Sequence, residues 1–336
     1  MIIPPGIVAL PRFGLLDGPS PFAPLRRFSA ALGGGPSSDV EIWIKREDLL
    51  PLAFGGNKLR NLEFLVGAAL ADGADSLITS GRRWSNHCRL TAAAGARAGL
   101  AVHLVLTGPP SPAGQEGPNQ RLDELLGATV HVTATGDRAE RAEVVESIAA
   151  AERAAGRRPF VISVGGTGPI GAVGQVLAGL ELADQLQAAG PGAATVVIPS
   201  ATGGTQAGIL TGLALAAPPT RPVLGIAVAT PGVELRPVIE SILDGLEPLV
   251  GSRVASAAVV LEDDQLGAGY GHRTTAADEA AALLARTEGI LVDPIYTAKA
   301  LAGLIARVRD GRLGGPVVFW HAGGTPGLFE SLPDDD

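Results

Sequence analysis

The amino-acid sequence predicts an α/β protein with two mainly parallel sheets, each flanked by helices. Three observations carry that expectation. Strand-like runs alternate with runs of helical period along almost the whole chain. The 336 residues suffice for two domains, and 46% hydrophobic against 18% charged residues provide a substantial core. The 46 glycines, about twice the usual ~7% share, gather in short loops between those runs.

Residues 1–40, rich in Pro and Gly, read as an arm laid over the body. Residues 41–46 alternate like a strand. After a loop, an amphipathic helix starts near Lys58, with Leu59, Leu62, Leu65 and Val66 on its apolar side. Strand and helix pairs follow at 76–79 and 86–98, 101–106 and 119–126, 129–132 and 137–155, and 160–164 and 170–188. The second half repeats the rhythm, with strands at 194–198, 223–229, 257–260 and 317–320 and helices near 205–216, 233–243, 276–287 and 297–309. Residues 108–118 and 218–222 read as Pro-rich connectors and 333–336 as a solvated tail. In such a fold, sites are expected at the C-termini of the strands.

Composition narrows the function. A formal net charge of −8 argues against a nucleic-acid partner, which would need a basic face, so small-molecule chemistry is expected. The single Cys88 cannot form an internal disulfide, in keeping with a reducing compartment. Five scattered histidines without ligand spacing give no metal site. No basic n-region precedes an apolar core, and no apolar run approaches the ~18 residues of a span. A cytoplasmic protein without membrane association is therefore expected.

Five stretches could carry chemistry. The first is Phe54-Gly55-Gly56-Asn57-Lys58, which delivers a lysine to a helix N-terminus. Only three of the 26 basic residues are lysines, namely Lys45, Lys58 and Lys299, so each marks a place where a primary amine or a slimmer side chain is needed. Lysine can form a Schiff base and arginine cannot; taken alone, Lys58 also reads as a surface lysine. The second, Ser200-Ala201-Thr202-Gly203-Gly204-Thr205, follows a strand and opens a helix, which suits a phosphate or simple close packing. The third, Ser85-Asn86-His87, is a good helix N-cap that could equally hold a substrate carboxylate. The fourth is the pair Tyr270 and Tyr296, the two tyrosines of the chain, each in a short loop beside Gly or Pro. A phenol there serves as acid or base, or packs with its hydroxyl satisfied. The fifth, His321-Ala322-Gly323-Gly324-Thr325, is another glycine-rich strand end. An amine, two anion cups and phenolic acids together describe a pyridoxal phosphate enzyme acting on an amino acid.

The sequence resembles the D-cysteine desulfhydrase and 1-aminocyclopropane-1-carboxylate deaminase family, in the type II, tryptophan synthase β-like group of pyridoxal phosphate enzymes. The matching residues are Ile44-Lys45-Arg46-Glu47-Asp48-Leu49; Gly55-Gly56-Asn57-Lys58-Leu59-Arg60 with Leu62-Glu63-Phe64; Ser85-Asn86-His87 with Arg89; and Gly165-Gly166 with Gly171-Ala172. The 200–208 loop, Gly269-Tyr270-Gly271, the run from Ala285 to Tyr296, and His321 with Gly323-Gly324 complete the set, in order along the chain.

The resemblance implies the type II fold, with residues 1–54 and 165–336 as a large cofactor-binding domain and 55–164 as a small domain. It implies Lys58 as the Schiff-base lysine of pyridoxal 5'-phosphate, Asn57 at the cofactor's 3-hydroxyl, and Ala201, Thr202, Gly203, Gly204 and Thr205 at its phosphate. Ser85, Asn86 and His87 would take the substrate carboxylate, Tyr270 and Tyr296 would face the reacting carbons, and Lys58 or Ser85 would move protons. A homodimer is expected. Three departures bear on the substrate. Thr297 stands where deaminases carry Glu. Ala322 removes a hydroxyl that would face the pyridine nitrogen, leaving Thr297 and Thr325 as candidates for that role. Trp84 replaces the usual Gln beside the carboxylate loop, with Arg82 and Arg83 upstream placed to meet a second anionic group.

The expected function is α,β-elimination on a small amino acid, with D-cysteine to pyruvate, sulfide and ammonia as reference. Alternatives are 1-aminocyclopropane-1-carboxylate deamination, a lyase for a sulfonated or otherwise β-substituted amino acid, and a non-catalytic protein that binds the cofactor or amino acids. A nicotinamide enzyme is disfavoured by the lack of GxGxxG after a first strand.

Overall fold

The computed structural model describes residues 2–33, 40–108, 116–133, 138–216 and 222–332. Its strands are β1 (Phe22–Pro24), β2 (Glu41–Arg46), β3 (Ser76–Arg82), β4 (Ala101–Thr107), β5 (Thr129–Thr133), β6 (Pro159–Val161), β7 (Thr195–Ser200), β8 (Val223–Ala227), β9 (Val260–Glu262) and β10 (Pro316–His321). The helices are α1 (Pro5–Val8), α2 (Arg26–Leu32), α3 (Lys58–Ala71), α4 (Asn86–Ala98), α5 (Pro118–Leu125), α6 (Arg138–Ala154), α7 (Pro169–Ala189), α8 (Gly204–Leu215), α9 (Gly232–Val250), α10 (Thr275–Glu288) and α11 (Thr297–Arg309). None of the described helices is long and apolar enough to cross a membrane.

The strands pair into a six-stranded sheet of order β1-β2-β10-β7-β8-β9 and a four-stranded sheet of order β5-β4-β3-β6. The ladders are parallel except for β1 on β2. β1 lies at an edge, where Pro24 can omit an N–H without breaking an inner ladder.

Side-chain alternation along the strands builds a core on each face of the larger sheet. Trp43, Val196, Ile198, Val318 and Trp320 point to the face covered by α7, α8 and α9. Ile42, Ile44, Val197, Val317 and Phe319, one residue out of phase, point to the face covered by α2, α10 and α11. In the smaller sheet Leu77, Val102, Leu104 and Leu106 pack against α3 and α4, whereas Ile78 and Val105 pack against α6.

Several sequence expectations are redrawn. The N-terminal arm contributes β1 to the larger sheet and α2 to its cover. The strand expected at 257–260 is a single helical turn at Ser256–Ala258 followed by β9. α9 continues past 243 to Val250 through two prolines, because Leu235, Ile239, Ile242, Leu246 and Val250 keep one buried stripe. α3 is not amphipathic: Arg60, Asn61 and Glu63 are as buried as Leu59 and Leu62, which their polar partners permit. Glu63, for instance, accepts from the Leu15 amide at 3.0 Å and pairs with Arg12. The expected connectors at 108–118 and 218–222 fall largely, and the tail at 333–336 wholly, outside the described residues.

Candidate active site

The C-terminal ends of β3, β7, β8 and β10 open onto one cavity of about 590 Å³. Lys58 enters it as the first residue of α3. Before it, Leu52, Ala53, Phe54, Gly55 and Gly56 all have positive φ (70°, 44°, 65°, 64° and 126°), a left-handed turn. For the non-glycine residues that costs about 1–3 kcal/mol each and persists only under surrounding constraint. The constraint is visible. The Gly56 amide donates to Glu47 O at 2.9 Å, the Asn57 amide to Ala322 O at 2.9 Å, and Arg89 to Gly55 O at 3.0 Å. A Cβ on Gly323 would lie 2.5 Å from Gly56 Cα, so this close approach of the loop after β10 requires glycine. Burial desolvates the Lys58 amine and lowers its pKa to about 8, leaving part of it unprotonated near neutral pH.

The start of α8 lines the same cavity; its N-cap, Gly203, is in the left-handed region (φ 82°) and no side chain caps the helix. Its first amides and dipole are thus free for an anion. Thr205 Oγ1 accepts from the Asn57 side-chain amide at 2.9 Å, so its own proton can be donated into the cavity.

A second helix end lines the same cavity. Ser85 caps α4, its Oγ accepting from the Cys88 amide at 3.2 Å. The amides of Asn86 and His87, on the first turn, have no intrahelical acceptor. The Nε2 atom of the His87 ring is occupied elsewhere, and Nδ1, unprotonated, has no proton to offer. Thr79 donates to Ile162 O at 2.8 Å and so accepts from His87 Nε2 at 3.0 Å, fixing the tautomer. Desolvation and then Lys58 push the His87 pKa down to about 3, so the ring is neutral. What His87 offers a carboxylate is its backbone.

The phenols of Tyr270 and Tyr296 share a hydrogen bond on the cavity wall. Burial raises Tyr270 to about 12 and Tyr296 well above 10, so both are neutral proton donors at physiological pH.

The family model described as pyridoxal-phosphate dependent enzyme matches residues 14–323. The chain belongs to that family. A solved structure described as a crystal structure of an ACC deaminase homologue is 34% identical, covers 96% of this chain and 95% of its own, and superposes with a TM-score of 0.86. The fold is therefore that of a type II pyridoxal phosphate enzyme. The cavity suits the cofactor: an uncapped helix start is available for its phosphate, and a desolvated lysine amine lies within reach of the same space.

Of the residues singled out from the sequence, Asn57, Lys58, Ser85, Asn86, His87, Ala201, Thr202, Gly203, Thr205, Tyr270 and Tyr296 line the cavity of this pyridoxal phosphate enzyme. Gly204, the first residue of α8, is not among the lining residues. Trp84, Thr297 and Thr325 stand outside the lining. Trp84 is buried with its ring edge-on to Tyr270, centroids 5.9 Å apart, and Thr325 opens a short turn at Thr325–Phe329. Thr297 is wholly buried and donates its hydroxyl proton to Asp293.

Sequence reasoning passed over three contributors. Asp293 accepts the amides of Ile295 at 3.0 Å, Tyr296 at 2.7 Å and Thr297 at 3.2 Å, shaping the turn that presents Tyr296. Its only signal was its place before Pro-Ile-Tyr. Arg138 and Arg141 also line the cavity, yet on α6 they look like any polar helix face.

Proposed function

We propose that this pyridoxal phosphate enzyme is a lyase that eliminates the β-substituent of a small amino acid and releases the remainder as a 2-oxo acid and ammonia. D-cysteine to pyruvate, hydrogen sulfide and ammonia is the reference reaction. The observation that carries the reading is the convergence on one cavity of a partly unprotonated amine, a cup of helix-start amides and a pair of neutral phenols. When bound, the cofactor supplies an electron sink conjugated to the substrate's α-carbon.

The protein's residues supply the rest. The amides of Asn86 and His87 hold the substrate carboxylate and thereby fix the α-carbon. Lys58, its amine free to accept, takes the α-proton, with Ser85 as the alternative carrier. The bond between the β-carbon and its substituent then breaks, its electron pair departing with the leaving group, which receives a proton from the Tyr270–Tyr296 pair. Water then replaces nitrogen, completing the balance to 2-oxo acid and ammonia.

A second reading, ring opening and deamination of 1-aminocyclopropane-1-carboxylate, is supported by the likeness to the ACC deaminase homologue. Against it, Thr297 stands where deaminases of the resembling family carry Glu, and it is bonded to Asp293. The same proposal takes residues 1–54 and 165–336 as the unit around the larger sheet, 55–164 as the unit around the smaller, and the active form as a cytoplasmic homodimer.

The test is a panel of D- and L-amino acids with β-leaving groups, together with the cyclopropane substrate, assayed for 2-oxo acid. Release of pyruvate from D-cysteine with no 2-oxo acid from the cyclopropane supports elimination; 2-oxobutanoate from the cyclopropane with no pyruvate from D-cysteine selects the second reading. The purified protein should show the absorbance of covalently held cofactor, lost in Lys58→Ala. No turnover of any panel member by protein carrying the cofactor would return the chain to a binding role.

A further inference from the structure

Arg82, at the end of β3, and Arg138 and Arg141, on α6, line the same cavity, whose acidic lining residue is Glu234. Arg82 and Arg141 are half-buried; Arg138 lies at the exposed rim, 3.5 Å from Thr230 Oγ1. Among the described residues none of the three forms an ion pair with a carboxylate. Several other arginines of this chain do have carboxylate partners. Arg12 is paired with Glu63, Arg46 with Asp48, Arg60 with Glu47 and Glu181, and Arg307 with Glu262. With 34 acidic residues and a net charge of −8, carboxylates are not scarce.

Like charges crowded in a half-buried wall are unfavourable unless a ligand provides the counter-charge. Desolvation, then the nearby Arg82 and Arg138, lowers the pKa of Arg141. The two anions already accounted for have their own receptors, the cofactor phosphate at the start of α8 and the α-carboxylate at the start of α4. Arg82 closes the turn before α4, its carbonyl accepting the Ser85 amide at 2.9 Å, and its guanidinium lies on the phenol side, where it interacts with Tyr270. A Cβ placed on Gly108 would sit 3.5 Å from Arg82 Nη1 and 3.9 Å from the Trp84 ring, whose edge meets Tyr270. Arg141 lies close enough to Tyr270 to interact with it electrostatically.

We infer that this enzyme's preferred substrate carries a second negative charge on its β-substituent, as a sulfonate, carboxylate or phosphate ester, and that Arg82 and Arg141 receive it, with Arg138 at the entrance. The guanidinium fork suits bidentate recognition of such groups. The inference rests on the elimination reading and deepens it. The substituent would leave as its anion, sulfite from a sulfonate or phosphate from a phosphate ester, beside the phenols that supply protons.

The test compares kcat/KM of the holoenzyme for 3-sulfoalanine, O-phosphoserine and S-carboxymethylcysteine with that for cysteine and β-chloroalanine, all in both configurations. The best charged substrate should exceed the best neutral one at least tenfold, and Arg82→Gln and Arg141→Gln should each reduce that ratio at least tenfold, mainly through KM. Independently of turnover, 3-sulfopropionate should raise the holoenzyme's Tm more than propionate does, and the double variant should lose the difference. A preference for neutral substrates that both variants leave intact overturns the inference alone. So does loss of cofactor absorbance in the variants with no change in the ratio, which would give the arginines to the cofactor phosphate. A wild-type protein that takes up no cofactor overturns the elimination reading and this inference together.

Discussion

The Lys299 ammonium donates to the carbonyl of Gly269 at 3.1 Å, one residue before Tyr270, and to that of Leu266 at 2.8 Å. Lys299 is wholly buried on the first turn of α11, the turn that Tyr296 caps. One helix start thus fixes both phenols, Tyr296 through the backbone and Tyr270 through this lysine. Replacing Lys299 with Met would keep the stem and orphan the carbonyls, at about 1–3 kcal/mol for each buried group left unsatisfied. Tm should fall, and kcat should fall more than KM rises, because the Tyr270–Tyr296 bond loosens while the anion cups stay. A variant with lowered Tm and wild-type kcat would make Lys299 purely structural.

Lys58 makes a pH prediction. Its pKa is lowered to about 8 from an ordinary 10.5, so between those values the unfolded chain binds a proton that the folded chain does not. Stability of the cofactor-free protein should therefore rise with pH across that window. Below about pH 8 the amine is charged in both states and its desolvation opposes folding. Lys58→Met should raise the Tm of the cofactor-free protein at pH 7, with the gap to wild type closing by pH 10. A gap independent of pH would mean that the amine is not desolvated.

Much of this was legible in the sequence, for identifiable reasons. The β-α rhythm located nearly every strand of both sheets, since parallel strands covered on two faces leave long apolar runs. The scarcity of lysine pointed to Lys45, Lys58 and Lys299, and each has a specific role: one faces the cavity and two are wholly buried in polar networks. What could not be read were contacts between distant segments. Nothing local says that Arg141 faces the cavity, that Thr297 turns to Asp293, or that the polar side of α3 is buried.

Trp84 and Gly271 form a pair that should respond to substitution together. Gly271 has φ 87°, and a Cβ there would lie 2.4 Å from Trp84 Cζ2. Gly271→Ala should therefore cost stability and displace Tyr270, lowering kcat by about 10-fold or more if the phenol is the proton donor. Trp84→Gln, restoring the residue usual in the resembling family, removes the clash but not the backbone strain. The double variant should recover part of the kcat lost in Gly271→Ala, a positive coupling in a double-mutant cycle. Additive losses would show that the ring and the glycine do not constrain one another.

A balanced cluster of buried charges anchors the lysine loop from behind. Arg60, two residues after Lys58, donates to Glu47 at 2.5 and 2.8 Å and to Glu181 at 3.0 Å, and Lys45 also pairs with Glu181. Two cations and two anions cancel, and removing one anion leaves an uncompensated positive charge. Glu181→Gln should therefore destabilise the protein by about 3–5 kcal/mol. Burial would raise the Glu181 pKa, but Arg60 and Lys45 outweigh it and hold the carboxyl below its ordinary 4.5. Its contribution is then present above about pH 4.5 and lost as pH falls through the lower folded value. Wild type and Glu181→Gln should accordingly differ most near neutral pH and converge in acid. Because Arg60 is tied to the helix turn that carries Lys58, the variant should also release the cofactor faster, read as loss of its absorbance on dilution. A variant with reduced Tm but unchanged cofactor release would confine the cluster to holding the fold.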